Sequence, residues 1–155
     1  MFYRCRLLIA LVLASTLSLS CSERQSPLEI QAIGEEFHWR FIYPGPDLQF
    51  GTGDDVHANQ FLVIPKDKTI RLTLTSHDYI YMFRPSGIDA REVAVPELEM
   101  NLSFQVGQSG KYKLEIDPLC SFNFFHDNDY MGWMIVKENK DFVSWYQQAD
   151  ELHKP

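Results

Sequence analysis

In TIRLTLT, residues 69–75, apolar and polar side chains alternate at every position. Successive side chains of a strand point to opposite faces, so Ile70, Leu72 and Leu74 are expected to share one buried face. This stretch is the clearest strand in the chain. It predicts a sheet with one apolar face and one polar face.

Further strands are predicted on both sides of this stretch from alternation, from β-branched or aromatic content and from flanking turn residues. They cover residues 28–33, 37–43, 61–64, 79–83, 102–106, 111–116 and 133–136. The stretch between Gly45 and Gly53 has the composition of a surface loop. Short strands at this spacing predict an all-β fold, a Greek-key β-sandwich.

The C-terminal end of the chain has a helical period instead. After Asn139 or Asp141 as the helix cap, apolar residues recur three and four positions apart. These residues are Phe142, Trp145, Tyr146, Ala149 and Leu152. They predict a C-terminal amphipathic helix whose aromatic stripe packs on the sandwich rather than binding a cofactor.

The first 21 residues are predicted to be an export leader. Arg4 and Arg6 precede an apolar stretch, residues 7–19, that is too short to cross a membrane comfortably. LSLSC, residues 17–21, is similar to a bacterial lipobox, in which Cys21 is acylated; an ordinary cleaved signal is the alternative. Residues 22–27 are then a tether and residues 28–155 the domain. We therefore expect an exported protein with a lipid anchor, facing the periplasm or the cell exterior.

The charge balance limits the kinds of partner. The 155 residues include 14 Lys and Arg against 21 Asp and Glu, a net charge of −7. An acidic surface repels a phosphate backbone, so nucleic acid is excluded as a partner, whereas a basic protein or a cation is compatible. The length predicts one domain.

The cysteines give the first indication of chemistry. There are three: Cys5 in the predicted leader, Cys21 at the predicted acylation point and Cys120 inside the domain. A lone thiol in an oxidising compartment is buried and inert, catalytic, or bound to a metal. The thiol by itself leaves all three alternatives open.

Several stretches together resemble the periplasmic domain of cytochrome c oxidase subunit II. They are GEEFHWRFIYP at 34–44, LTSHDYIYMF at 74–83, GKY at 110–112 before a cysteine-containing loop, and MGWMIV at 131–136. The resemblance covers residues 28–146. It implies a cupredoxin-like fold, which agrees with the predicted sandwich. It also implies copper as the cofactor and a c-type cytochrome or a respiratory oxidase subunit as the partner.

The ligand pattern of that family is altered in this chain. The family holds a binuclear copper centre, CuA, with an upstream His and a loop of pattern Cys-x3-Cys-x3-His-x2-Met. Here Ile116 stands at the first cysteine, Pro118 at the carbonyl-donating position and Tyr81 at the upstream His. Because two thiolates bridge the paired copper ions, these substitutions predict a degenerate site with one copper ion rather than two.

Cys120, His126 and Met131 remain as candidate metal ligands, at the spacing Cys-x5-His-x4-Met. This loop is similar to that of mononuclear blue-copper proteins, where thiolate and imidazole bind in a plane and a thioether lies on the axis. Each residue also has a structural interpretation. Cys120 and Met131 suit a core, and His126 suits a loop where it pairs with a neighbouring Asp.

A fourth ligand is not evident from the sequence. His77 and Tyr81 share a predicted strand face with Tyr79, but His77 is expected about 13 Å from Tyr81 at ~3.3 Å per residue and is a poor substitute. Asp78 is expected to cap a strand end or to help order the ligand loops. The remaining histidines, His38, His57 and His153, have no metal spacing and are predicted to be structural or exposed.

The resemblance implies a domain for copper-bound electron transfer or copper handling, acting as a component of an oxidase-like complex. The alternative is a metal-free interaction or assembly domain, as in related quinol oxidase subunits, and Ile116 and Tyr81 favour it. A Cys–His hydrolase using Cys120 and His126 is disfavoured because no orienting residue or oxyanion donor pair is identifiable.

Two further features differ from the family. Only the leader precedes the domain, where the family has a transmembrane hairpin. Phe37 stands at the electron-entry tryptophan, while Trp39 keeps the second aromatic position.

Overall fold

The computed structural model describes residues 26–116 and 130–153. Its strands are β1 Leu28–Glu35, β2 His38–Tyr43, β3 Val56–Asn59, β4 Phe61–Pro65, β5 Ile70–Ser76, β6 Tyr81–Phe83, β7 Glu92–Ala94, β8 Met100–Phe104, β9 Gly110–Glu115 and β10 Tyr130–Lys137. One helix, α1 Asn139–His153, follows the last strand. Within these described ranges, no helix has both the length and the apolar character that a membrane span requires.

The strands form two main sheets. A five-stranded sheet has the order β3-β2-β1-β5-β8 and a three-stranded sheet the order β4-β10-β9, with β6 and β7 as a separate pair. β1 runs antiparallel to β2 and parallel to β5, and β10 runs parallel to β4 and antiparallel to β9. Neighbouring strands therefore come from distant parts of the chain, and the predicted all-β sandwich is confirmed.

The core lies between the apolar faces of the two main sheets. Ile70, Leu72 and Leu74 of β5 are all 0% exposed, which confirms the face predicted from their alternation. The three-stranded sheet contributes Leu62 and Met134, which are also fully buried. Burial of each large aliphatic side chain contributes about 1.5–3 kcal/mol.

The helix α1 packs against the sandwich through its aromatic stripe, as predicted. Its side chains that pack against the core are Phe142, Trp145, Tyr146 and Ala149. The Trp145 ring lies edge-on to Tyr43 at 5.2 Å, and the Tyr146 hydroxyl donates a hydrogen bond to the carbonyl of Pro44. The side chain of Leu152 lies outside the described residues.

The predicted helix cap is wrong. The carbonyl of Glu138 accepts hydrogen bonds from the backbone N–H groups of Asp141 and Phe142. A residue whose carbonyl accepts the first helical bonds occupies the N-cap position, so the cap is Glu138 rather than Asn139 or Asp141.

Two predicted strands are shorter at their N-terminal ends. The strand predicted at 79–83 covers only Tyr81–Phe83, because Asp78 accepts the backbone N–H of Tyr79 and turns the chain there. The expectation that His77, Tyr79 and Tyr81 share a strand face is therefore wrong. The strand predicted at 37–43 begins at His38, because a tight turn precedes it.

Other boundaries differ without changing the architecture. The short strands β3 and β7 were not predicted, since neither shows a clear alternation of apolar residues. β8 begins and ends two residues before the predicted 102–106. The stretch between Gly45 and Gly53 contains no strand or helix, as expected of a loop.

Candidate metal centre and its upstream position

The structure describes one of the three candidate ligands, Met131. Cys120 and His126 lie outside the described residues, as does Pro118. Met131 is described and is 4% exposed, as part of the core cluster. Ile116, at the position of the missing first cysteine, is half-buried against the same cluster.

Met131 sits in a β-bulge at the start of β10. The register passes from Tyr130 opposite Glu115 to Gly132 opposite Leu114, so one residue of β10 has no partner on β9. Gly132 has φ +153°, and a Cβ there would lie 2.6 Å from the carbonyl oxygen of Gln60. Because a bulge changes the direction of side chains, it allows Met131, the second residue of β10, to lie in the interior.

Tyr81 occupies the position where the resemblance predicts an upstream ligand. It is 1% exposed, and its ring lies directly on Gly34 of β1. A Cβ on Gly34 would lie 2.3 Å from the Tyr81 Cδ2 atom. Gly34 therefore allows the ring to pack against the sheet backbone, between Trp39 and Ser76, which pair with Gly34 on either side.

The Tyr81 hydroxyl is fully used in structural hydrogen bonds. It donates to Asp78 Oδ1 at 2.7 Å and accepts the backbone N–H of Phe37 at 3.3 Å. Burial, together with the hydrogen bond to the Asp78 carboxylate, raises the pKa of the Tyr81 phenol. Tyr81 therefore stays neutral at physiological pH and serves as a hydrogen-bonding group.

Asp78 joins two loops that are distant in sequence. Its Oδ2 accepts the backbone N–H of Glu36 at 2.8 Å, and its Oδ1 accepts the N–H of Tyr79 at 2.8 Å as well as the Tyr81 hydroxyl. Partial burial raises the pKa of Asp78, but the hydrogen bonds lower it more, so the pKa lies below its usual range. Asp78 thus orders the loops at this end of the sandwich.

The turn held by this contact is strained. Glu36 and Phe37 form a two-residue connection between β1 and β2, with φ of +48° and +62°. Such hairpin turns favour Asn and Gly, because most side chains are disfavoured at positive φ. The bonds from Glu36 to Asp78 and from Phe37 to Tyr81 stabilise it. We call the set formed by Glu36, Phe37, Asp78 and Tyr81 the hairpin clamp.

Aromatic rings extend from the clamp to the surface and to the core. The ring of Phe37 stacks on Tyr79 at 5.4 Å, and Tyr79 is 48% exposed. On the inner side, Tyr81 contacts Trp39 edge-on at 6.1 Å, and Trp39 is completely buried. Phe37, where the resemblance predicts an electron-entry tryptophan, is therefore part of a continuous aromatic cluster.

A polar group lies beside the clamp. Glu35 binds Arg40 Nε at 2.6 Å through Oε1, and its Oε2 lies 2.8 Å from His77 Nδ1. The hydrogen bond from Arg40 is the largest cause that lowers the pKa of Glu35. His77 is thus engaged with a carboxylate rather than placed as a metal ligand.

The described residues do not fit a binuclear copper centre. Within residues 26–116 and 130–153, no group of three or more His, Cys, Asp or Glu side chains could hold a metal. The Tyr81 hydroxyl is hydrogen-bonded within the clamp, and the Ile116 side chain has no atom that could bind a metal. His38 is half-buried beside the Glu36 carbonyl and His57 is exposed, as predicted.

The hairpin clamp is the functional-site feature that sequence reasoning missed. Asp78 was expected to cap a strand or order the ligand loops, but its partners Glu36 and Tyr81 were not identified. The contacts with the hairpin join residues 42 and 44 positions apart, which no local period reveals. The available signal was Gly34 within a run of bulky strand formers, because a strand glycine often marks a close approach.

The sheet order and this arrangement define a cupredoxin-like sandwich, and comparison with solved structures agrees. The periplasmic domain of cytochrome oxidase subunit II of Bradyrhizobium japonicum matches with a TM-score of 0.66 and 22% identity. The match covers 82% of this chain and 96% of that domain. No family model matches the chain.

Sequence comparison leads to the same family. The probable cytochrome c oxidase subunit 2 of Rickettsia prowazekii is 26% identical over 132 residues, covering 76% of this chain and 41% of the relative. The cytochrome bo(3) ubiquinol oxidase subunit 2 of Buchnera aphidicola is 23% identical over 135 residues, covering 87% of this chain and 43% of the relative. The chain therefore resembles the periplasmic domain of cytochrome c oxidase subunit II with a divergent sequence, and it spans under half the length of these two relatives.

Proposed function

We propose that the protein is a copper-binding electron-transfer or copper-handling domain of a respiratory chain, holding one copper ion. The observation that carries the proposal is Met131, which is buried in the core of the sandwich and lies close in sequence to the other two candidate ligands, Cys120 and His126. The fold and the relatives named above support the respiratory context.

The donor set suits copper chemically. A Cys120 thiolate, a neutral His126 imidazole and a weaker Met131 thioether are the ligand types of mononuclear copper sites. When bound in such a set, copper supplies one-electron redox chemistry. The protein residues would contribute a rigid ligand frame, since Met131 is packed in the core and β10 is paired on both sides.

The test is copper loading of the purified full chain, followed by dialysis, metal analysis and visible spectroscopy. We expect about one copper per chain and an intense thiolate charge-transfer band. Cys120→Ser should abolish the band. Met131→Leu, which conserves side-chain volume, should keep the band but change the copper reduction potential.

His57→Gln is the matched control, because His57 is an exposed histidine outside the candidate ligand set. It should leave copper content and spectrum unchanged. Failure of the wild-type chain to retain copper after dialysis would contradict the proposal. An unchanged band in Cys120→Ser would contradict it as well.

A specific observation favours a second function, a metal-free interaction or assembly domain. Tyr81 occupies a ligand position and serves the hairpin clamp instead. One relative is named a ubiquinol oxidase subunit. The resemblance implies that the cupredoxin fold of such subunits persists without copper. If Cys120→Ser changes neither metal content nor partner binding in protein isolated from its own membrane, this second function is the correct one.

We further propose that the chain is exported and acylated at Cys21, with a c-type cytochrome or an oxidase subunit as its partner. The net charge of −7 supports a basic partner through long-range attraction. Mass spectrometry of the mature N-terminus tests the anchor. A cleaved and unmodified N-terminus would contradict acylation, and Cys21→Ser should release the domain from the membrane.

A further inference from the structure

The outer face of the three-stranded sheet carries lysine side chains lying on aromatic rings. Lys111 Nζ is 3.9 Å from the centre of the Trp133 ring, and Lys113 Nζ is 5.6 Å from that of Tyr130. The rings of Tyr130 and Trp133 are themselves 5.1 Å apart. Together with Phe61, these four residues form what we call the lysine–aromatic face.

The strand register places this face on the outside of the sandwich. Phe61, Trp133 and Lys113 pair in one row across β4, β10 and β9. The next residues along the strands, Leu62, Met134 and Leu114, are 0% exposed and point into the core. Because successive side chains alternate between faces, the row points away from the core. Phe61 is 42% exposed.

The face carries two lysines on an acidic molecule, and the neighbouring carboxylate, Glu115 opposite Tyr130, is neutralised by Arg84 at 2.7 Å. Four other cationic side chains form ion pairs with carboxylates: Arg40, Lys66, Arg71 and Arg84. By contrast, no carboxylate among residues 26–116 and 130–153 pairs with Lys111 or Lys113. With a net charge of −7 over the whole chain, the molecule would approach an anionic surface with this face forward.

We propose that the lysine–aromatic face binds the surface of anionic phospholipids. Protein–protein interfaces are enriched in Trp, Tyr and Arg but depleted in Lys, whereas membrane interfaces combine Trp and Tyr with Lys. Rings with a polar edge suit the headgroup layer, and a lysine stem lies along apolar surface while its ammonium reaches phosphate. The row of side chains formed by Phe61, Trp133 and Lys113 extends across three adjacent strands, and an extended surface of this kind suits contact with a bilayer. The proposal is independent of whether the chain holds copper.

The test uses the full chain on vesicles, with Trp133 fluorescence as the readout. Residues 7–19 are apolar and would bind lipid by themselves, so total binding does not report on this face. Vesicles of phosphatidylcholine alone are compared with vesicles that also contain phosphatidylglycerol, each carrying a phospholipid brominated near the headgroup. The difference between wild type and Trp133→Phe isolates the Trp133 signal from Trp39 and Trp145.

We expect bromine quenching of Trp133 on anionic vesicles and its loss at high ionic strength, where charges are screened. Lys111→Glu combined with Lys113→Glu should abolish this quenching, and the corresponding Gln substitutions should reduce it to an intermediate level. The matched control, Lys68→Glu combined with Lys140→Glu, makes the same charge change elsewhere and should keep the quenching.

Equal quenching of Trp133 on neutral and anionic vesicles would overturn the proposal. Equal quenching in the Lys111/Lys113 variant and its control would overturn it too. If the face instead binds polyglutamate in solution and Trp133 shows no lipid quenching, its partner is an acidic protein and the lipid assignment is wrong.

Discussion

Two buried tyrosines near opposite ends of β2 use their hydroxyl groups in different ways. Tyr43 donates to the Val63 carbonyl at 2.9 Å and accepts the Val63 N–H at 2.8 Å. Tyr81 donates to the charged side chain of Asp78 and accepts a backbone N–H from a strained turn. Burial raises the pKa of both phenols, so both act as neutral hydrogen-bonding groups.

The difference shows that the hydroxyl of Tyr43 serves the core of the fold, whereas the hydroxyl of Tyr81 serves a local contact between loops. Tyr43 satisfies backbone groups of β4, an edge strand of its sheet, in the fully buried core. Tyr81 stands where the resemblance predicts a metal ligand, and its partner Asp78 is exposed to solvent. The hydroxyl at one end of β2 therefore joins the two main sheets, whereas the hydroxyl at the other end holds the hairpin clamp together.

The largest expected effect comes from removing the Tyr43 hydroxyl. Tyr43→Phe leaves the N–H and the carbonyl of Val63 without their partner in a buried environment, and each such group costs about 1–3 kcal/mol. We expect a loss of about 2–4 kcal/mol in the free energy of unfolding, measured with urea. Tyr112→Phe, which loses an exposed hydrogen bond to Gln108, is the control and should cost less than about 0.5 kcal/mol. Equal losses in both variants would contradict the role of Tyr43.

A second variant addresses the close packing of Tyr81 on the sheet. Gly34→Ala places a Cβ 2.3 Å from the Tyr81 ring, which has to move within a packed core. Overpacking of this kind costs about 1–3 kcal/mol of unfolding free energy. Gly53→Ala is the control, because no atom lies within 4 Å of the added Cβ. A cost for Gly34→Ala that persists in full in a Tyr81→Leu background would show that the ring is not the obstacle.

Removing the Tyr81 hydroxyl should have a smaller effect than removing that of Tyr43. In Tyr81→Phe, the exposed Asp78 carboxylate gains water in place of the phenol, so we expect a loss of about 1 kcal/mol. Hydrogen exchange of the Phe37 amide should become faster, because its acceptor is lost. A loss as large as that of Tyr43→Phe would contradict the distinction drawn between the two residues.

The smallest expected effect is a dependence of stability on pH at the clamp. The pKa of Asp78 lies below its usual range in the folded protein. The ionised side chain therefore contributes fully to the free energy of unfolding at neutral pH, and this contribution is lost as the pH falls through the ordinary carboxyl range and below. Asp78→Asn should flatten this acid decline in unfolding free energy. Asp89→Asn, at an exposed loop position, is the matched control. Identical pH profiles for wild type and Asp78→Asn would contradict the assignment.

The strands of the sandwich could be predicted because their signals are local. The alternation at 69–75 and the helical stripe from Phe142 to Ala149 each record one buried face, and both are confirmed. The end of the strand before Tyr81 was predicted wrongly, because the Asp78 side chain bonds to Tyr79 and turns a stretch of good strand formers. Side-chain bonds of this kind override propensity and leave no period in the sequence.

The candidate site could be predicted only in part. Tyr81 was identified at the ligand position by resemblance, but its commitment to Asp78 and Phe37 depends on contacts that only the folded chain creates. Cys120 and His126 as metal ligands stay predictions. The lysine–aromatic face was not predicted, because its members come from three strands and meet only through the sheet register.

The most direct test of the central claim is X-ray absorption at the copper edge of the loaded full chain, compared with Tyr81→Phe. We expect one short copper–sulfur bond and an imidazole nitrogen, with no copper–copper distance and the same spectrum in both proteins. A copper–copper distance, or a spectrum that changes when the Tyr81 oxygen is removed, would contradict it.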